Sequence, residues 1–348
     1  MFSYKFFKYL FFIYLMKCFY CEKDAIVKIP YSKLWLCKDH YVEYIQRRVL
    51  ETIKRYKLIK KGQKILVGVS GGKDSTSLYH MLLNIKDEIG FELIGLHINL
   101  GIYDFSKKSL DAIKNFSKEY NTEFIILDSK EIIGAYLPET LIKLGAKILP
   151  NYKVKYIRPA CSICGSLKRY ILNIVANELN VDYIALGHHM DDLLPYIIKN
   201  FFLQDLHSIS KLGPKTEKID SLVGRIRPLY EISEEETKLY AKLSNIPYLE
   251  DQCPFKSGSK RIETKIREFL DKMEKENPGF KISLARAIAR NIKFYEKEEE
   301  IKLNKCKYCG MPTSKDICEF CRITKRAFGE PKGLYVKEKI SEILKGIK

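Results

Sequence analysis

A doubly wound parallel α/β sheet flanked by N- and C-terminal cysteine modules is the architecture this sequence predicts, and three observations carry it. Short runs of buried-strand character alternate with helix-period segments through the middle of the chain. The first of those strands runs into Ser70-Gly71-Gly72-Lys73-Asp74-Ser75, a glycine turn that opens a helix. Eight of ten cysteines fall into four C-x-x-C pairs near both ends and in the centre, unlike a secreted disulfide framework. The composition fits a folded chain: 46% of residues are hydrophobic and 12% aromatic, which excludes disorder and fibrous repeats. Lys and Arg number 61 against 43 Asp and Glu, a formal net charge of +18. That surplus favours a polyanionic partner, nucleic acid ahead of acidic membrane, with a Lys- and Glu-rich thermophile surface as the alternative.

The elements follow in order. The opening MFSYKFFKYLFFIYLM is apolar and aromatic, but Lys5 and Lys8 interrupt it. It falls short of the roughly 20 apolar residues of a span and lacks a small-residue cleavage site. Residues 1–15 are therefore read as an extension ahead of a functional start at Met16, with a peripheral anchor as the alternative reading. The chain is expected to be cytoplasmic, without stable membrane association. Residues 16–45 form an N-terminal zinc module with β-prone pieces at Ala25 to Ile29 and Leu34 to Leu36. The helix from Tyr41 to Tyr56 repeats its apolar positions at Tyr44, Ile45, Val49 and Ile53. Within a catalytic domain at 46–250, strands are expected at Lys64 to Val69, Phe91 to Ile98, Glu123 to Leu127, Tyr183 to Leu186 and Arg225 to Leu229. Helices are expected at Leu78 to Ile85, Ser109 to Tyr120, Arg169 to Leu179 and Glu234 to Leu243. A charged helical segment at 251–300, a zinc ribbon at 301–325 and a basic tail at 326–348 complete the chain. Parallel sheets bind ligands beyond the carboxyl ends of their strands, where Ser70 to Ser75, His97 to Gly101 and Gly187 to Asp192 all lie.

The turn at Ser70 to Ser75 is a phosphate loop by its physics. Gly71 and Gly72 let backbone N–H groups approach an anion, the helix N-terminus adds partial positive charge, and Lys73 adds a full one. It matches the PP-loop of ATP pyrophosphatases, with Lys73 facing the departing pyrophosphate and Ser70 and Ser75 donating hydroxyls. Asp74 reads equally as a Mg²⁺ contact or as a first-turn acid. Asp191 and Asp192 could hold Mg²⁺ or orient a base, against helix capping by Asp191. Lys168 and Arg169 read as phosphate contacts or as an ordinary charged helix face. Cys161-x-x-Cys164-Gly165 and the distant Cys253 supply three thiols. They fit a three-cysteine iron–sulfur cluster with an open iron, a persulfide pair, or a third zinc completed by His188 or His189. Cys18, Cys21, Cys37 and His40 have the spacing of one closed zinc site, and Cys306, Cys309, Cys318 and Cys321 that of another.

In combination, the SGGKDS loop, the Cys161 pair, Gly187-His188 with Asp191-Asp192, Cys253-Pro254 and the two cysteine modules resemble the TtuA/TtcA family of tRNA 2-thiolation enzymes. The resemblance runs from about Met16 to Arg322 and looks closer to the TtuA-like branch, which includes the archaeal and eukaryotic cytosolic wobble-uridine thiolases. It implies that Cys161, Cys164 and Cys253 hold a [4Fe-4S] cluster, that Lys168 and Asp192 act in catalysis, and that Val69, Ser75, His97, Lys168 and Gly187 contact ATP. One departure is Leu193, which stands where an acid often follows the Asp pair.

The implied reaction adenylates the uracil C2 oxygen of a T-loop or wobble uridine and then transfers sulfur from a hydrosulfide held on the cluster. Its cofactors are ATP, Mg²⁺, the [4Fe-4S] cluster and two Zn²⁺. Its partners are tRNA and a sulfur donor, either a ubiquitin-like thiocarboxylate carrier or free sulfide; homodimers also occur in the family. Two alternatives stand beside it. A PP-loop amide or lysidine ligase has no need of the three thiols, and a non-catalytic zinc-ribbon RNA-binding protein has no need of the phosphate loop.

Overall fold

The computed structural model describes residues 16–149, 154–156, 158–256, 262–295 and 303–347. A hairpin of β1 (Val27–Ile29) and β2 (Leu34–Leu36) leads into α1 (Lys38–Arg55). There follow β3 (Lys64–Gly68), α2 (Lys73–Ile89), β4 (Glu92–Asn99), α3 (Tyr103–Glu119), β5 (Phe124–Asp128), α4 (Ser129–Ile133) and α5 (Leu137–Lys143). After the short hairpin β6 (Lys147–Ile148) and β7 (Val154–Lys155) come α6 (Ala160–Glu178), β8 (Tyr183–Ala185), α7 (Met190–Phe202) and α8 (Leu206–Ser210). Next are β9 (Lys215–Thr216), β10 (Gly224–Ile226) and α9 (Glu234–Leu243). The chain closes with α10 (Ile262–Glu276), α11 (Phe280–Arg290), the ribbon β11 (Asn304–Lys305) and β12 (Pro312–Thr313), α12 (Glu319–Phe328) and α13 (Gly333–Ile347).

The central sheet has the order β5-β4-β3-β8-β10-β9. All neighbours pair in parallel except β9, which closes one edge antiparallel to β10. Its strands are apolar on both faces because helices cover both. Leu66, Leu96, Leu127 and Ile184 join a core with α6, α12 and α13, while Ile65, Val67, Ala185 and Ile226 join a core with α1, α2 and α9. From β3 the chain winds outward through β4 to β5 and then returns to the other side of β3 as β8. The order therefore reverses between β3 and β8, where such sheets form their ligand crevice.

The doubly wound sheet and its flanking modules are as the sequence predicts, but several boundaries move. Helices α2, α3 and α6 begin at Lys73, Tyr103 and Ala160, earlier than the expected Leu78, Ser109 and Arg169. Apolar periodicity marks the buried turns of a helix, and the first turn of α2 is polar instead, whereas in α6 buried Ala160, Ile163 and Leu167 extend the repeat ahead of the expected start. The segment expected as helical from Ile262 onward breaks at Asn277-Pro278-Gly279 into α10 and α11, because proline cannot continue the backbone ladder. Strand β10 stops at Ile226 rather than Leu229, ahead of Pro228, which has no N–H to donate. Helix α1 runs across the expected module boundary at residue 45. Its Tyr44, Ile45, Val49 and Ile53 are all buried, and buried Arg48 ties it to Glu236 of α9.

The expected basic tail is the helix α13, packed on α4 and α6, with Val336, Ile340 and Leu344 in the core. Residues 1–15, read as an extension or anchor, lie outside the described residues. No described helix is long and apolar enough to cross a membrane. Truncating Ile340 to Ala, fully buried on α13, is expected to cost about 2–5 kcal/mol in urea denaturation. Lys337→Ala, exposed on the same helix, is expected to stay within about 0.5 kcal/mol.

Candidate active site

The turn between β3 and α2 is held by its own side chains and by two distant segments. The Ser70 N–H donates to Ser75 Oγ (3.0 Å), and Ser75 Oγ donates to the Gly72 carbonyl (3.1 Å). From α3, Ser109 Oγ donates to the Ser70 carbonyl (2.6 Å). From the segment after α9, the Leu249 N–H donates to the Gly71 carbonyl (2.8 Å). Gly71 sits at φ +82°, and a Cβ there would come within 2.6 Å of Ser109 Oγ, so only glycine fits. Lys73 at the head of α2 is half-buried and donates to Asp74 (2.9 Å) and to Glu234 Oε1 (3.0 Å). Burial works against the Lys73 charge, but the carboxylates of Asp74 and Glu234 outweigh it and raise its pKa.

The crevice at the β3–β8 reversal collects the other expected nucleotide residues. Buried His97 at the end of β4 donates Nδ1–H to the Val69 carbonyl (2.9 Å), leaving Nε2 buried with no partner among the described residues. Burial pushes His97 below its ordinary pKa, and the Lys168 charge adds to the effect. The ring is thus a neutral acceptor at Nε2, the kind of orphaned atom a bound nucleotide satisfies. Gly187 lies against the turn, and a Cβ there would meet the Asp74 carbonyl at 3.1 Å. His189, 1% exposed, places Nε2 3.5 Å from Asp192 Oδ2 and 3.8 Å from Asp74 Oδ1. Its Nδ1 is also buried without a partner among the described residues.

The two aspartates at the head of α7 part company. Asp192 turns back to the His189 N–H (3.4 Å) and stays partly exposed beside Asp74. Asp191 is buried and engaged elsewhere, accepting from Lys281 Nζ (2.6 Å) and from the Glu234 N–H (2.7 Å). It braces the start of α9 rather than capping its own helix. Leu193 is buried in an apolar cluster with α10 and α11.

The three thiols converge. Cys161 and Cys164 stand one turn apart in the first turns of α6, where the helix dipole favours anionic groups. Cys161 Sγ lies 3.9 Å from the Phe255 carbonyl, two residues beyond Cys253. Burial raises both Cys164 and Cys253, and the Lys168 ammonium pulls each back down. Lys168 thus acts on Cys164, Cys253 and His97 together, which sets the thiols beside the crevice. Among the described residues, the three sulfurs are not gathered as a single-ion group within 4.8 Å. One zinc ion needs that closeness, whereas a cluster spreads its thiolates over separate irons.

Two groups do meet the single-ion condition. The donor atoms of Cys18, Cys21, Cys37 and His40 lie within 4.8 Å of one another, as do those of Cys306, Cys309, Cys318 and Cys321. His40 Nδ1 is 3.4 Å from Cys18 Sγ and 3.3 Å from Cys37 Sγ.

Sequence reasoning missed Glu234, Arg267 and Leu249. Glu234 pairs with both Lys73 and Arg267, and only its place at the head of a helix could have marked it. Arg267 and Leu249 carry no local signal, since each meets the loop only through the tertiary fold.

Two family models match the chain: one for PP-loop domains, over residues 42–144, and one for the N-terminal LIM domain of 2-thiouridine synthetase TtuA, over residues 17–42. The chain is 37% identical over 310 residues to a tRNA-5-methyluridine(54) 2-sulfurtransferase of Pyrococcus horikoshii, covering 88% of this chain and 93% of that one. It is 30% identical over 332 residues to the tRNA 2-thiolation protein NcsA of Haloferax volcanii, covering 88% and 98%. The solved structure of the U34-tRNA thiolase NcsA from Methanococcus maripaludis with its [4Fe-4S] cluster matches with a TM-score of 0.71 at 29% identity. That match covers 89% of this chain and 96% of the other.

Burial opposes the Glu234 charge, but Lys73 and Arg267 outweigh it and hold the carboxyl down at about 2, below its ordinary 4.5. A depressed carboxyl contributes stability above its unfolded pKa and loses it as pH falls toward the folded one. Acid unfolding of Glu234→Gln should therefore show a shallower loss of stability than wild type between pH 4.5 and 2. Identical acid profiles would remove the assigned linkage.

Proposed function

The chain belongs to the PP-loop family of tRNA 2-thiolation enzymes, and on that premise we propose how its own residues carry ATP-dependent sulfur transfer to a tRNA uridine. The convergence of Cys161, Cys164 and Cys253 on Lys168, at the edge of the nucleotide crevice, is the observation that carries the reading.

A uracil C2 carbonyl resists substitution because oxide is a very poor leaving group. ATP solves this in two steps. The C2 oxygen attacks the α-phosphorus and pyrophosphate leaves; a sulfur nucleophile then adds at C2 and AMP departs with the oxygen. The turn at Ser70–Ser75 binds the phosphates through its N–H groups, and Lys73 exchanges its bonds to Asp74 and Glu234 for the departing pyrophosphate. Val69 and Gly187 shape the pocket wall, and His97 offers Nε2 to the nucleotide. Asp74 and Asp192, both near His189, supply the oxygen donors a Mg²⁺ ion requires. Lys168, poised between His97 and the thiols, balances charge as the adenylate meets sulfur. The three thiols fit a [4Fe-4S] cluster, which when bound supplies a metal position free of protein ligands where sulfur can be kept deprotonated. The two four-ligand groups fit Zn²⁺ and act through metal-coupled folding of the modules.

The T-loop uridine is the substrate we favour, because identity is 37% to the position-54 enzyme against 30% to NcsA. The structural match to a U34 thiolase keeps the wobble uridine as the second reading. The sulfur donor is a thiocarboxylate carrier or free sulfide, and a homodimer is the proposed assembly. Nucleoside mass spectrometry of tRNA from a strain lacking the gene should show loss of one 2-thiouridine derivative. An unchanged nucleoside profile would overturn the reading. Cys253→Ala should bind ATP as wild type does yet insert no sulfur; sustained thiolation by this variant would misassign the trio. Chelation of both modules' metal should lower the unfolding midpoint of the whole chain, and an unshifted melt would remove their structural role.

A further inference from the structure

A cavity of about 650 Å³ opens at the carboxyl end of β10, between α6 and the β11–β12 ribbon, and neither the phosphate turn, His97 nor the thiols of Cys161, Cys164 and Cys253 line it. Three arginines line it in order of depth. Arg227 is 5% exposed, Arg225 is half-buried and Arg169 is exposed at the mouth. None pairs with a carboxylate among the described residues. Arg227 donates to the carbonyls of Gly213 (2.5 Å) and Lys211 (2.9 Å), and Arg169 reaches Ser166 Oγ at 3.3 Å. The lining carboxylates are engaged elsewhere: Glu217 with Lys215 (2.8 Å) and the Tyr183 hydroxyl (2.7 Å), and Glu319 with Arg158 (2.5 Å) and Arg322. Burial, then repulsion from Arg225, brings Arg227 down to about 10. Like charges packed this way are costly unless an anion completes the site.

Leu222, Val223, Met311 and Phe320 give the cavity an apolar lining. The cavity also adjoins the reacting centre. The charges of Arg225 and Arg227 act on His188 in the crevice, and that of Arg169 acts on Cys164. An anionic ligand with an apolar body, entering past an exposed arginine, matches a nucleotide better than sulfide or a bare carboxylate does. The base to be thiolated must leave its stack to reach the crevice, which brings its neighbours and their phosphates to this cavity.

We infer that this cavity holds one nucleotide of the substrate RNA adjacent to the base being thiolated, with its phosphate on Arg169 and Arg225 and its body on the apolar lining. The inference rests on the RNA-thiolation reading above. Arg227 positions the Lys211–Gly213 loop, so Arg169→Gln combined with Arg225→Gln is the informative variant. Binding of an unmodified tRNA transcript to the metal-loaded full chain, without ATP, should weaken roughly ten- to hundred-fold. The salt slope should fall by roughly 0.7–0.9 for each phosphate no longer neutralised, with ATP affinity unchanged. Wild-type affinity and slope in this variant would overturn the inference. Normal tRNA binding with a raised requirement for sulfide or a thiocarboxylate donor would reassign the cavity to the donor. Should the variant lose its metal or its fold, wild-type protein is tested against tRNA carrying one methylphosphonate beside the target uridine. Weakened binding then supports the site, and undiminished binding overturns it. Wild-type thiolation in the same preparation separates the two claims, since its failure sinks the RNA reading and its success leaves only the cavity in question.

Discussion

The backbone hydrogen bond from Leu249 to the Gly71 carbonyl is the constraint on which the rest of the site depends. It pins the segment after α9 to the phosphate turn, and Cys253 lies four residues further on. The Lys108–Asp251 ion pair, at 2.5 Å, holds the same segment to α3. Because α3 also supplies Ser109 to the Ser70 carbonyl, one helix braces both the turn and the approach to the third thiol. An exposed pair such as Lys108–Asp251 contributes little stability alone; the backbone bond to buried Gly71 does the positioning, because an unmade one is costly.

Helix α6 is the second fixed part. Its first turns present Cys161 and Cys164, its next turn presents Lys168, and its inner face packs through Ile163, Leu167 and Ile171 into the core. The C-terminal ribbon grips this helix from outside. Tyr170 stacks on Phe320 with ring centroids 3.9 Å apart and donates to the Gly333 carbonyl (2.8 Å). Metal binding in that ribbon therefore bears on the thiol-bearing helix as well as on the ribbon itself. The N-terminal module has the same relation to α1, whose Arg48 reaches Glu236 and the Glu231 carbonyl. Both modules act as braces on opposite faces of the sheet.

Acidic groups around the turn divide their work by burial. Asp191 and Glu231, both nearly sealed from solvent, are satisfied by Lys281 and by Arg55 and Arg286, and they hold helices together. Asp74, Asp192 and Glu234 keep partial exposure beside the turn. Groups in that second class can exchange partners when a charged ligand arrives, and Lys73 is shared between Asp74 and Glu234.

Much of this is legible along the chain. Alternating strand and helix periods announce the sheet, and SGGKDS between a strand and a helix announces the phosphate turn. The spacing of Cys18, Cys21, Cys37 and His40, and of the four C-terminal cysteines, announces two metal groups, because local spacing limits where ligand atoms can go. The helix start at Lys73 escapes the pattern because its polar first turn lacks the apolar repeat. The resemblance singles out Asp192, but the bracing of α9 by Asp191 could not be read, nor could Glu234, Arg267 or Leu249 be found, since each is defined by a partner distant in sequence. Motif order alone thus determined the fold class and the chemistry. Tertiary structure decided which acids are structural and that three arginines with no carboxylate partner among the described residues share one cavity, because burial and charge partnership exist only once distant segments pack together.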